Sequence, residues 1–182
     1  MSRAAVFLAE GFETVEALAV VDICRRAGID TVTISVSDDR RVSTSHGILV
    51  EADELIADTD LDSFDMLILP GGMPGTENLE KCTPLMDKLD EFNAAERYIS
   101  AICAAPRILG KKGFLKGRRA TCFPGVEGFL EGAVHTGSKV EADGHFITGR
   151  GMGTAIEFAL AIVERLEGKE KAQQVAEKIT FA

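Results

Sequence analysis

The segment Ala101-Ile102-Cys103-Ala104-Ala105-Pro106 sets a nucleophilic residue type between a run that reads as a strand and one that reads as a helix. Small residues lie two positions before Cys103 (Ala101) and two after it (Ala105). The G-x-S-x-G elbow follows the same logic, because small neighbours permit a tight turn that lifts the nucleophile out of the sheet. Pro106 suits the first turn of a helix, where a missing N–H costs nothing. Cys103 is therefore expected at a helix N-terminus, a setting that can lower a cysteine pKa from ~8.5 to roughly 3.5–7.5. A second strand end, Leu69-Pro70-Gly71-Gly72, leaves backbone N–H groups bare and approachable. In open α/β sheets ligands bind beyond the carboxyl ends of strands, where the strand order reverses, and both segments are expected there.

The other candidate groups are plainer. Cys24, Cys82 and Cys122 form no CxxC pair with one another or with Cys103, which argues against a zinc site and against a disulfide framework. Cys24 and Cys82 read as packing residues, and Cys122 as packing beneath the site or a resolving thiol. His135 and His145 read as surface histidines. Gly149-Arg150-Gly151-Met152-Gly153 lacks the spacing of a dinucleotide fingerprint, and close helix–sheet packing explains it better. The acidic stretch Asp58 to Asp65 reads as a solvated loop, so no metal site is expected.

Those residues need a scaffold, and the chain alternates β-branched runs with helical patterns, which predicts a parallel sheet covered by helices. Expected strands are Ala4 to Leu8, Thr31 to Val36, Asp65 to Leu69 and Tyr98 to Ile102, with a marginal hairpin around Ser45-His46-Gly47. Expected helices run through Val15, Leu18, Ala19 and Ile23 to Gly28, and over Pro84 to Ala95 and Pro106 to Lys111. Ala155, Phe158, Ala159, Ile162, Val163 and Leu166 recur at i, i+3, i+4, i+7, i+8 and i+11, an amphipathic helix that Gly168 ends. A charged helix over Lys169 to Ile179 closes the chain.

With 182 residues and no linker or repeat, residues 1–182 read as one domain. Apolar residues make up 46% and charged residues 27%, which excludes a disordered or fibrous chain. A net charge of -9 with no basic run excludes nucleic acid as an expected partner. Met66 to Pro70 is strand-sized, far short of the ~20 residues of a membrane span, so no membrane partner is expected either. The N-terminus reads as a first strand and not as a signal peptide, giving an expected cytoplasmic location.

Four segments together resemble the ThiJ/PfpI superfamily, in the branch of the Parkinson-disease-associated deglycase and its bacterial relatives. They are Ala101 to Pro106, Leu69 to Gly72, Gly11-Phe12-Glu13-Thr14-Val15-Glu16, and Arg150-Gly151-Met152-Gly153-Thr154-Ala155-Ile156-Glu157-Phe158. They fall in the same order over a likeness running from Val6 to about Val175. The resemblance implies a flavodoxin-like three-layer α/β/α sandwich with a mainly parallel central sheet, usually a homodimer, and no cofactor. It matches Cys103 to the family's nucleophilic, oxidation-sensitive cysteine and Glu13 to a protonated glutamate on that sulfur. It matches the N–H groups of Gly72 and Ala104 to an oxyanion pocket and Arg26 to an arginine near the dimer interface. Gly71, Phe123, Arg26 and His46 are placed around the substrate pocket, His46 across the dimer interface. Glu16, one turn beyond Glu13, is expected to face solvent or a partner.

Two departures narrow the chemistry. Ala104 stands where the proteolytic branch carries a histidine after the cysteine, and Phe123 stands where some relatives carry another. No base is left for a thiol–histidine dyad, so peptide hydrolysis is not expected. A thiolate beside a carboxylic acid suits addition to an activated aldehyde. The expected activity is cofactor-free conversion of methylglyoxal to lactate, or repair of early glycation adducts. The alternative is an oxidation-sensing, stress-protective protein that uses the same cysteine without turnover.

Overall fold

The computed structural model describes residues 1–181. In chain order its strands are β1 (Arg3–Leu8), β2 (Asp30–Ser35), β3 (Arg41–Ser43), β4 (Leu49–Glu51), β5 (Glu54–Leu55), β6 (Met66–Leu69), β7 (Tyr98–Ile102), β8 (Arg119–Ala120), β9 (Val134–His135), β10 (Val140–Asp143) and β11 (Phe146–Gly149). The helices are α1 (Thr14–Arg26), α2 (Gly75–Glu80), α3 (Thr83–Ala94), α4 (Pro106–Lys111), α5 (Ala155–Glu167) and α6 (Lys169–Lys178). Seven strands form the central sheet in the order β10-β11-β7-β6-β1-β2-β5. All neighbours run parallel except the β10–β11 pair. The strands β3 and β4 make the expected hairpin, and it lies outside the central sheet.

The sheet separates two apolar layers, which is why its inner strands are apolar on both faces. On one side α1, α5 and α6 pack over Val6, Leu8, Ile68 and Ile147, with Phe158, Ile162 and Val163 supplying much of the contact. On the other, α3 and α4 cover Phe7, Leu67, Leu69 and Ile99 through Leu85, Leu89, Phe92 and Ile108. Each such fully buried side chain contributes about 1.5–3 kcal/mol relative to exposure.

The chain leaves β1 toward β2 on one side, while β6 occupies the other side of β1. Strand order reverses there, and that reversal opens a crevice beyond the carboxyl ends of β1, β6 and β7. Gly71-Gly72 follows β6 and Cys103 follows β7, so both singled-out strand ends meet at the crevice.

Three expectations are corrected. The buried stripe of α1 is Glu16, Ala17, Val20, Val21, Ile23 and Cys24, whereas Val15 is 44% exposed. The helix is rotated about one residue from the phase read in its sequence, and Val20 and Val21 face the sheet. His145 is buried, its ring tilted 39° against Phe146 at 4.0 Å between centroids, with its Nε2 3.0 Å from Asn93 Oδ1. The stretch from Asp58 to Asp65 is not all solvated, because Leu61 and Phe64 anchor it in the core. Gly149 meets its expectation, since a Cβ there would come within 2.8 Å of Ile102 and 2.9 Å of Phe158.

Candidate active site

Cys103 is the first residue past β7, and its φ of 65° places it in the left-handed region. An L-residue other than glycine is costly there, of order 1–3 kcal/mol, and persists only where the surroundings fix it. They do so on three sides. Cys103 N–H donates to Gly149 O at 2.9 Å, its carbonyl accepts from Phe123 N–H at 2.8 Å, and Ala105 N–H closes the turn onto Ile102 O at 3.1 Å. The small residues Ala101 and Ala105, both fully buried, leave room for this turn.

The sulfur faces a cavity of about 390 Å³ whose walls include Glu13, Glu16, Gly72, Ala104, Phe123 and Met152. The backbone N–H groups of Gly72 and Ala104 both act on the sulfur as hydrogen-bond donors and favour its ionised form. Gly72 reaches this position with φ of 92°, a conformation that glycine adopts freely. Gly71 does not line the cavity; it lies beneath, and a Cβ there would stand 2.7 Å from both Cys103 Cβ and Glu16 Oε2.

The carboxyl group on the sulfur is Glu16, not Glu13. Glu16 sits three positions into α1 and is 1% exposed. Its Oε2 accepts from Gly71 N–H at 2.9 Å. Its Oε1 is buried and lies outside hydrogen-bond geometry with any group among the described residues. The Cys103 thiol acts on Glu16 as a hydrogen-bond donor, which favours the Glu16 carboxylate and the protonated sulfur. Burial lifts the Glu16 pKa from 4.5 to about 7, more than the sulfur and the Gly71 N–H lower it. Glu13 instead caps α1 without a capping bond, and Ser45 Oγ donates to its Oε2 at 3.1 Å. It stands at the cavity mouth.

The expectation that the helix mouth lowers the Cys103 pKa is also corrected. Burial and the charge of Glu16 push its thiol up, against the two N–H donors that pull it down. Cys103 and Glu16 are thus one coupled pair, and what each does depends on the other's proton. In this setting Glu16 carries its proton across neutral pH far more often than an exposed glutamate does.

That shift has a consequence for stability. The rise from 4.5 to about 7 corresponds to ~3 kcal/mol. The folded state holds the extra proton, so the contribution is fully present below about pH 4.5 and is lost as pH rises through about 7. Glu16→Gln removes the titration. Urea unfolding from pH 5 to 8 is expected to show the glutamine variant gaining stability over the parent as pH rises, by up to about 3 kcal/mol. A difference that stays constant across that range contradicts a raised Glu16.

The remaining expected pocket residues divide. Phe123 lines the cavity and is half exposed as a residue. Arg26 does not line it: ten residues along α1 from Glu16, it lies ~15 Å away at ~1.5 Å per residue. There it forms a helix-end pair with Asp22 at 2.6 Å. His46 does not line the cavity; it is exposed beside the mouth, its Nδ1 3.9 Å from Glu13 Oε2 and 3.0 Å from Ser45 Oγ. The other cysteines are free thiols; burial pushes Cys24 up to about 12 and Cys122 up to about 11. Among the described residues no group of three His, Cys, Asp or Glu could hold a metal ion, and no helix is long and apolar enough to cross a membrane.

A cysteine on a strained strand–helix turn, in a flavodoxin-like sandwich and backed by a buried glutamate, defines a class of cysteine-centred α/β proteins. Within that class the chain belongs to the DJ-1/PfpI family, whose model matches residues 2–165. It is similar to Protein DJ-1 homolog B of Arabidopsis thaliana, with 41% identity over 93% of this chain and 39% of that protein. It thus spans well under half of that plant relative, and 44% of a second one from the same plant. It is 32% identical to the glutathione-independent glyoxalase DJR-1.2 of Caenorhabditis elegans, over 95% of this chain and 92% of that one. The structure of oxidized Toxoplasma gondii DJ-1 superposes with a TM-score of 0.96 at 33% identity, covering 100% of both chains.

Proposed function

We propose that the protein is a cofactor-free, cysteine-dependent enzyme that converts small 2-oxoaldehydes such as methylglyoxal to the corresponding 2-hydroxy acids. The observation that carries this reading is the buried Glu16 carboxyl in the same cavity wall as Cys103, with the Gly72 and Ala104 backbone N–H groups favouring the ionised sulfur. The likeness to a nematode glyoxalase over nearly the whole of both chains supports it.

The chemistry uses the pair as a proton store. As Cys103 Sγ adds to the aldehyde carbon, its electron pair forms the C–S bond and the carbonyl π electrons move to oxygen. The new oxyanion lies close to the Gly72 and Ala104 N–H groups, and Glu16 supplies the proton that makes a hemithioacetal. Glu16, now a carboxylate, removes the C–H proton of the former aldehyde carbon to give an enediol as the neighbouring ketone oxygen takes up a proton. Return of a proton to the adjacent carbon and loss of the hydroxyl proton from the sulfur-bearing carbon then give a 2-hydroxy thioester. Water hydrolyses that thioester to lactate and frees the thiol. The aldehyde carbon is oxidised by two electrons and its neighbour reduced by two, so no external redox partner is required.

Glu13 at the mouth, hydrogen-bonded by Ser45, is assigned to orientation of incoming substrate and not to the proton transfers. A lactate assay with methylglyoxal, comparing the parent chain with Cys103→Ser, tests the reading. Repair of a glycation adduct would differ in its first step, where Cys103 Sγ displaces the amine or thiol from the aldehyde-derived carbon and the leaving group takes a proton, giving the same hemithioacetal.

A further inference from the structure

A second cavity, of about 500 Å³, adjoins the first and shares Phe123 and Met152 with it. Its floor begins next to the sulfur, because a Cβ at Gly151 would stand 4.0 Å from Cys103 Sγ and 3.3 Å from the Phe123 ring. Arg150, the next residue, also lines this cavity, and consecutive Cα atoms are ~3.8 Å apart. Its guanidinium donates from Nη1 to Gly137 O at 3.2 Å and makes no ion pair among the described residues. The other cation there, Lys139, is already paired with Glu157 at 2.7 Å. Glu157, whose carboxyl also feels the charge of Arg150, is held by Lys139, so Arg150 keeps free donors next to Gly151 in a chain whose net charge of -9 repels anions elsewhere. An arginine with free donors recognises a carboxylate or phosphate in two-point fashion.

Resting on the proposed 2-oxoaldehyde chemistry, we infer that the second cavity is a subsite for the anionic arm of the substrate, held by Arg150 between the apolar faces of Phe123 and Met152. The preferred substrates are then 2-oxoaldehydes that carry a carboxylate or phosphate a few atoms from the reacting carbon. One such compound is 4,5-dioxopentanoate, methylglyoxal with a CH2–COO⁻ group added to its methyl carbon. Addition of one water and the same internal two-electron shift convert it to 2-hydroxyglutarate.

Rates for methylglyoxal and 4,5-dioxopentanoate are to be measured in the parent chain and in Arg150→Gln. The parent is expected to show the higher kcat/KM with the anionic compound. The variant should lose about tenfold or more on that substrate, chiefly in KM, and stay within about twofold on methylglyoxal. Equal losses on both substrates, or none on either, overturn the subsite while leaving the enzyme reading intact. If neither compound is turned over, the enzyme reading itself fails, and a binding measurement then decides the subsite. Glutarate, an unreactive dicarboxylate, should slow iodoacetamide alkylation of Cys103 in the parent and not in Arg150→Gln; absence of that protection in the parent also overturns it.

Discussion

Cys103→Ser is expected to reduce lactate formation from methylglyoxal to the uncatalysed rate while leaving the fold in place. Serine keeps the size and turn geometry of the site, including the hydrogen bonds its backbone makes to Gly149 and Phe123. What it lacks is an ionisable nucleophile, since a hydroxyl is a far weaker acid than a thiol and stays protonated beside a glutamate, needing a stronger base such as a paired histidine. No histidine lines the Cys103 cavity to act as that base. Lactate production unchanged in the serine protein would remove Cys103 from the reaction. A parent chain that makes no lactate, yet gains two oxygen atoms selectively at Cys103 under dilute peroxide, would move the reading to an oxidation sensor. Sulfur next to a carboxyl proton donor suits that chemistry as well, because a sulfinate oxygen can accept the proton Glu16 holds.

The second large effect is at Glu16. Glu16→Gln preserves shape and the oxygen that accepts from Gly71, but an amide cannot lend and recover a proton. Loss of a positioned acid–base group costs typically 10²–10⁴-fold, and kcat is expected to fall by that order. Glu13→Gln is the contrasting variant. Glu13 lines the mouth and is held by Ser45, so its neutralisation should alter KM and change kcat by less than about tenfold. Steady-state rates on both variants separate the two carboxyls; a larger kcat loss at Glu13 than at Glu16 reverses the assignment.

Of the Glu16–Cys103 pair only the cysteine is legible in the sequence, where the resemblance matches Glu13 to the sulfur and Glu16 is expected to face solvent or a partner. The elbow was readable because a reactive residue type between small neighbours, at a strand-to-helix change, has few structural explanations. Gly71-Gly72 was readable for the same reason, and the sheet followed from the alternation of buried strands and amphipathic helices. The choice between the two glutamates was not readable from the first turn of α1 alone, because Val15, Leu18, Ala19 and Ile23 offered a plausible apolar face. The signal lay further along the helix. Glu16 shares its face with Val20, Ile23 and Cys24, at i+4, i+7 and i+8, and a carboxylate on the most buried stripe is a functional candidate by virtue of its desolvation. His145 was misplaced for a related reason: its neighbour Asn93 is 52 residues away, and no local pattern reveals that partner.

Arg26 and His46 show a different limit. Arg26 lies on α1, the same helix as Glu16, yet the rise of that helix carries it out of the cavity. His46 is held beside the mouth by the β3–β4 hairpin, which Ser45 N–H ties to Phe12 O at 2.9 Å. Sequence proximity to a motif gave neither distance. Arg150 was the opposite case: a residue passed over as part of a glycine-rich turn follows directly on Gly149, which pairs with Ile102, and lines the cavity that adjoins that of Cys103.

The most direct test of the shared proton is the rate of iodoacetamide alkylation of Cys103 against pH, in the parent chain and in Glu16→Gln. A coupled pair loses its first proton near the raised value of Glu16, and the thiolate form becomes available at that step. The parent rate should therefore inflect near pH 7, and this inflection should vanish in the glutamine variant, leaving a single step set by the thiol alone. Superimposable profiles for the two proteins, or a parent that reacts only above the ~8.5 of a free thiol, would contradict a proton held in common by Glu16 and Cys103.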